Sequence, residues 1–143
     1  EDTLTIVGAY LGDFPSFDTQ WLPAAGDYGI CPGTEYRQVR FGGLTLEFTD
    51  AGIFQPVGTR QFFSWSYDGD PAGITPGGLD VGATVAELRD LYPEAELTGD
   101  DPLYGPVFRV TGAAEGQQLW GTLTGVGAAD TITSLAGGWG CGE

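Results

Sequence analysis

Twenty carboxylates, two thiols and five guanidinium groups make up the reactive inventory of this chain, and no imidazole or ammonium side chain accompanies them. Ser-His-Asp and Cys-His catalysis need a histidine to carry the proton, so both are excluded. A Ser-Lys arrangement fails for want of lysine. No phosphate-cradling loop of the P-loop type occurs, and the glycine-rich stretch "GVGAAD" at 125–130 reads as a hairpin turn. Paired carboxylates, as used in glycoside hydrolysis, are what remains for catalysis. With so many acids some pair will lie close by chance, and no spacing singles one out. The expectation is a protein without enzymatic activity and without a cofactor, with a carboxylate-based glycan hydrolase as the remote alternative.

Metal binding is the next chemistry to weigh. "YDGDPAG" at 67–73 places Asp68 and Asp70 together, and "TGDDPL" at 98–103 does the same for Asp100 and Asp101. Calcium favours such hard oxygens, but neither stretch has EF-hand spacing. Aspartate beside glycine and proline is foremost a turn signature, so no metal site is expected. Cys31 and Cys141 cannot make a structural zinc site, which wants four N/S ligands. A free thiol pair and a disulfide both remain open. The disulfide fits better with a mature-looking chain that opens on Glu1 and lacks Met and His. It would close a loop of over a hundred residues, worth up to ~4.7 kcal/mol in the chain-entropy picture.

The third chemistry is recognition by aromatic rings. Trp65, Tyr67, Tyr104, Trp120 and Trp139 sit in or beside strand-like stretches. Any one of them suits a core. As a group they suggest an open aromatic face, and Arg40 and Arg109 are placed to join it. Tyr, Trp and Arg dominate protein-binding hot spots. The net charge of −15 argues against nucleic acid and against anionic membranes, because no basic patch can displace counterions from phosphate. No apolar run reaches the ~20 residues that span a bilayer. The charge itself suits solubility, and GC-rich codon usage would remove Lys and Asn together.

These residues need elements to hold them. Residues 36–49, "YRQVRFGGLTLEFT", form the strongest hairpin signal. Gly42-Gly43 makes the turn, so Phe41 should face Leu44, Val39 Leu46, and Arg37 Phe48. Val39, Phe41, Leu44, Leu46 and Phe48 then share one face, and Gln38, Arg40, Thr45 and Glu47 the other. Residues 60–67 read as a third strand, with Phe63, Trp65 and Tyr67 on one side. After a turn-rich connector, "ATVAELRDLYP" at 83–93 is a helix. Thr84 and Glu87 form its capping box, Pro93 ends it, and Val85, Leu88, Leu91 and Tyr92 share one face. Strands are expected at 106–111, 117–124 and 130–136. Residues 2–15 are ambiguous: β-branched residues favour strand, while position favours helix, and helix is the expectation.

A repeat emerges: helix then meander, twice, in an α+β fold. The tandem helix-plus-antiparallel-meander units would form a curved sheet covered by short helices. The units would be 1–67 and 79–143, joined by a connector at 68–78. "GLDVGATVAELRDLYPEAEL", "GPVFRV", "LWGTLTG", "DTITSLAGGWGCGE", "CPGTEYRQVRFGGLTLEFTD" and "FFSWSYDGDP" together resemble a large group of uncharacterised secreted actinobacterial proteins. More distantly the unit resembles the SmpA/BamE-like repeat and the tandem-repeat β-lactamase inhibitory proteins, whose curved sheet binds protein on one face. That resemblance is architectural, and fold does not carry function. The inhibitors close each repeat with its own disulfide, whereas Cys31 and Cys141 would tie the two repeats together. The resemblance implies a secreted or cell-surface module that binds a protein or cell-envelope component, with inhibition of a secreted hydrolase as the alternative.

Overall fold

The structure, a computed structural model, describes residues 2–12, 15–26, 29–52, 55–69, 78–112 and 118–138, without the side chains of 25, 26 and 29–31. Two compact units divide the chain, one ending at Trp65 and one spanning Ser66–Gly138. Among the described residues the elements are two helices and nine strands.

The first unit opens with α1 (Asp2–Leu11) and continues through β1 (Phe17–Asp18), β2 (Leu22–Gly26), β3 (Gly29–Phe41) and β4 (Leu44–Thr49) into β5 (Gln61–Tyr67). The β3–β4 hairpin has the register expected from its alternation: Phe41 pairs with Leu44, Val39 with Leu46 and Arg37 with Phe48. Gly42 takes the left-handed φ of 56° that the turn requires. Val39, Phe41, Leu44, Leu46 and Phe48 are all buried.

The other edge of β3 holds what the sequence did not reveal. β1 and β2 lie end to end along it, with Phe17 opposite Arg40 and Leu22 opposite Tyr36. Between them the chain kinks at Gln20, whose φ is 56°. Thr19 keeps the ladder closed across the break: its N–H donates to Gln38 O at 3.0 Å, and its hydroxyl accepts from Gln38 N at 2.9 Å.

A buried carboxylate fixes the far end of this hairpin. Asp50 is 5 % exposed. It accepts from Thr34 N and the Thr34 hydroxyl, both at 2.6 Å, and from Glu35 N at 3.0 Å. The Thr34 hydroxyl is the main reason its pKa lies below the ordinary 3.8. Gly33 makes the close approach feasible. Its φ is 97°, and a Cβ there would stand 2.4 Å from Asp50 Oδ1.

The second unit contains α2 (Val85–Leu91), β6 (Glu96–Asp101), β7 (Gly105–Thr111), β8 (Gln118–Thr122) and β9 (Leu135–Gly138). The capping box of α2 is formed: Thr84 Oγ1 accepts from Glu87 N at 3.2 Å, and Glu87 Oε2 accepts from Thr84 N at 2.8 Å. The next orphan amides are met by the 125–130 turn, with Val85 N donating to Asp130 O and Ala86 N to Ala128 O. Val85 and Leu88 are fully buried, each stabilising the unit by roughly 1.5–3 kcal/mol. The strand expected at 130–136 is divided. Thr131 and Ile132 make isolated bridges to Thr84 and Leu123, and β9 proper starts at Leu135.

The tandem helix-plus-meander architecture is not what forms. The fold is dominated by antiparallel sheet, and the helices do not cover it. α1 is helical as expected, yet none of its residues is buried, with Ile6 68 % and Tyr10 76 % exposed. Leu4, Val7 and Leu11 make a narrow, half-buried stripe, while Ile6, Ala9 and Tyr10 lie on the exposed side, so the helix has no face broad enough to bury a sheet by itself. In α2, Leu91 is 46 % exposed and only Val85 and Leu88 are buried, because two turns bring a single ridge to the sheet. Among the described residues, every other buried apolar side chain comes from a strand or a loop.

Candidate protein-binding face

Strands β6, β7, β8 and β9 are neighbours in that order. Their registers place Glu96 opposite Arg109, Arg109 opposite Trp120, and Trp120 opposite Ala136. Residues in one such row share a face, and so do their neighbours two positions along. On this face Glu96, Thr98, Arg109, Thr111 and Gln118 are exposed, and Trp120 and Thr122 are half-buried. Val107, between Thr98 and Thr122, and Ala136, beside Trp120, are buried, so the open part is the end toward β6 and the β6–β7 loop. The opposite face carries Phe108 and Val110, which are buried, with Leu97 and Leu119. Gly121 belongs to that inner face for a steric reason. A Cβ there would lie 2.1 Å from Ser134 O and 2.7 Å from the Phe108 ring.

The β6–β7 hairpin builds one end of the open face. Asp101 pairs with Gly105, leaving Pro102, Leu103 and Tyr104 as the loop. Pro102 fixes its own φ, and Gly105 takes the left-handed φ of 71°. Asp101 Oδ1 gathers the loop amides, accepting from Leu103 N at 3.1 Å and Tyr104 N at 3.2 Å. Its Oδ2 accepts from Arg109 Nη2 at 3.2 Å. The Leu103 amide, the Tyr104 amide and then the guanidinium together hold the Asp101 pKa below the ordinary carboxylate value.

The effect is to present a Leu-Tyr dipeptide on a fixed tip. Leu103 is 71 % exposed. The Tyr104 ring lies on the Trp120 indole, with centroids 5.2 Å apart and planes tilted by 54°. Tyr104, Trp120 and Arg109, widely spaced in sequence, are thus brought to one face. Leu103 was not foreseen. The signal for it was an apolar Leu-Tyr pair inside the turn "DDPLYG", where side chains have no core to enter.

The remaining expected residues lie elsewhere. Tyr67 is 1 % exposed and belongs to the core, because the strand's buried side takes it along with Phe63. Trp65 is half-buried in β5. Arg40 is exposed in the first unit, its guanidinium carbon 5.7 Å from the centre of the Phe17 ring. Asp68 and Asp100 are exposed, and the Asp101 carboxylate is committed to the loop amides and Arg109. Asp70, Trp139 and Cys141 lie outside the described residues, as does the Cys31 side chain. Among the described residues, no three acidic, Cys or His side chains are grouped to hold a metal ion, and no helix is long and apolar enough to cross a membrane. Compared with protein-family models, curated proteins and solved structures, the chain shows no match.

Proposed function

We propose that the protein is a non-catalytic, secreted or cell-surface binding module, and that the open face of the second unit docks a protein or cell-envelope component. One observation carries the reading. Tyr104, Trp120 and Arg109 gather at one end of a sheet face, beside a loop that Asp101 fixes and that exposes Leu103, before any partner arrives. Preorganisation of this kind lowers the ordering cost of association, which is where much interface energy is otherwise lost. An aromatic pair with a partly shielded arginine has the composition of a hot spot, and the exposed Thr and Gln around it have that of a rim. Glu96, Asp100 and the net charge of −15 favour a partner that is neutral or basic where it touches. The cysteine pair suits an oxidising exterior.

Affinity capture from secreted and cell-wall fractions tests the reading. Immobilised wild-type protein and the double variant Leu103→Ser/Trp120→Ser serve as matched baits. A component retained by the first and lost by the second supports the proposal. Equal retention by both, or none by either, counts against it.

A further inference from the structure

We propose that a groove in the first unit binds one or two rings of a neutral oligosaccharide. The groove encloses about 420 Å³, inside the ~300–1,000 Å³ range of small-ligand sites. Its wall is made by the first turn of α1, by Trp21 and by Phe48 and Phe62, which pack edge to face with centroids 5.8 Å apart. Arg37, Arg60 and Gln61 complete it. Two of only five cationic side chains in the whole chain therefore line one concavity.

Both arginines are held by two-point ion pairs. Arg37 Nε and Nη2 donate to Asp18 Oδ1 and Oδ2 at 2.9 and 2.6 Å, and the side chains are only 13 % and 20 % exposed. Arg60 Nε and Nη2 donate to Glu35 Oε2 and Oε1 at 2.9 and 3.0 Å. The Arg60 guanidinium also lies over Trp21, 4.5 Å from the ring centre. Planar polar groups fixed in this way lose little freedom when they bond a ligand.

The chemistry of the lining selects the ligand class. The two guanidinium charges are matched by Asp18 and Glu35, and Asp2 adds one further carboxylate. An anion gains nothing there, least of all inside a field of −15. A cation finds Asp18 and Glu35 already paired with arginine and only the exposed, water-screened Asp2 left to meet it. A wholly apolar molecule would strip water from guanidinium, amide and hydroxyl groups without replacing it. A sugar ring fits each feature. Its C–H face suits the Phe62 ring and the part of the Trp21 ring that Arg60 leaves uncovered. Its hydroxyls, each donor and acceptor, suit Arg60, the Asp2 carboxylate, the Thr3 hydroxyl and the amide of Gln61, which is 9 % exposed.

Isothermal titration calorimetry and tryptophan fluorescence, with cellotriose, maltotriose and triacetylchitotriose as neutral probes and trigalacturonate as the charged control, test the assignment. At least one neutral probe is expected to bind saturably with a Kd of ~0.1–1 mM, and tighter than trigalacturonate. Trp21→Ala should weaken that binding about tenfold or more, and Arg60→Gln should weaken it severalfold. Arg60 is half exposed, so its variant is expected to keep the wild-type Tm and to report binding even if Trp21→Ala does not fold. Trp120→Ala, in the other unit, should bind the sugar as wild type does, which separates this site from the protein-binding face. No saturation by any neutral probe at ~10 mM, tighter binding of trigalacturonate, or affinity unchanged in Arg60→Gln would each overturn it.

Discussion

Replacing Asp50 with alanine should be among the most damaging single changes in the first unit. The carboxylate accepts three hydrogen bonds, two from backbone amides, at a residue only 5 % exposed. Each bond to a charged acceptor is worth ~1.5–3 kcal/mol net, so the simple sum is an upper limit. Thr34 is exposed and can turn to water, whereas Glu35 is half-buried and its amide is harder to hydrate. The expected loss is therefore about 3 kcal/mol, and about half that for Asp50→Asn, which keeps one acceptor oxygen. Urea melts with an unchanged slope measure the loss, and amide exchange at Thr34 and Glu35 locates it. The pH dependence has a definite sign. The Asp50 pKa in the fold is depressed below 3.8, so its contribution is complete above the unfolded value and disappears as pH falls through the folded one. The gap between wild type and Asp50→Ala should accordingly be constant from neutral pH to about 5 and shrink below about 4. A loss under ~0.5 kcal/mol, typical of ordinary surface changes, or a gap that widens in acid, would refute the reasoning.

Other expectations concern the second unit and the thiols. Gly121→Ala should lower stability by ~2 kcal/mol or more, read from its Tm, because the new methyl group would meet Ser134 O and the Phe108 ring. Leu88→Ala should cost ~2–5 kcal/mol in denaturant melts, while Leu91→Ala should cost far less, since Leu91 is 46 % exposed. Thr84→Ala should fall between them at ~1 kcal/mol by removing one arm of the capping box. Thiol titration of the unreduced, denatured protein should find no free Cys31 or Cys141, and two reactive thiols would dispose of the proposed disulfide.

The parts of the fold legible in sequence are those in which a local signal and a burial pattern agree. The β3–β4 register followed from a glycine turn flanked by alternating apolar residues, and α2 followed from a Thr-x-x-Glu box before an apolar face. β6 had neither. Its sequence, "ELTGDD", is acidic, contains glycine and is mostly exposed, so it is held by the ladder to β7 rather than by its own side chains. β1 and β2 were hidden because the kink at Gln20 and the proline at position 23 break the period that marks a strand. The error over helical cover came from giving α1 and α2 the whole task of burial. Among the described residues, the strands themselves supply most of the buried apolar side chains, with Val85 and Leu88 the helical share. For the candidate site, composition pointed to Trp120, Tyr104 and Arg109 as ring and cation candidates. It could not place them on one face, because that depends on pairings between three separate strands and on a loop set by Asp101.

The central claim is that the Trp120 face is where this protein meets its partner, and its most direct test is the affinity of a captured component for wild type and for Trp120→Ala. Truncation of a central hot-spot ring costs ~2 kcal/mol or more, so Kd should rise about thirtyfold, mainly through faster dissociation, while the Tm stays near that of wild type. A Kd within about twofold of wild type, with Trp120→Ala folded, would contradict the account.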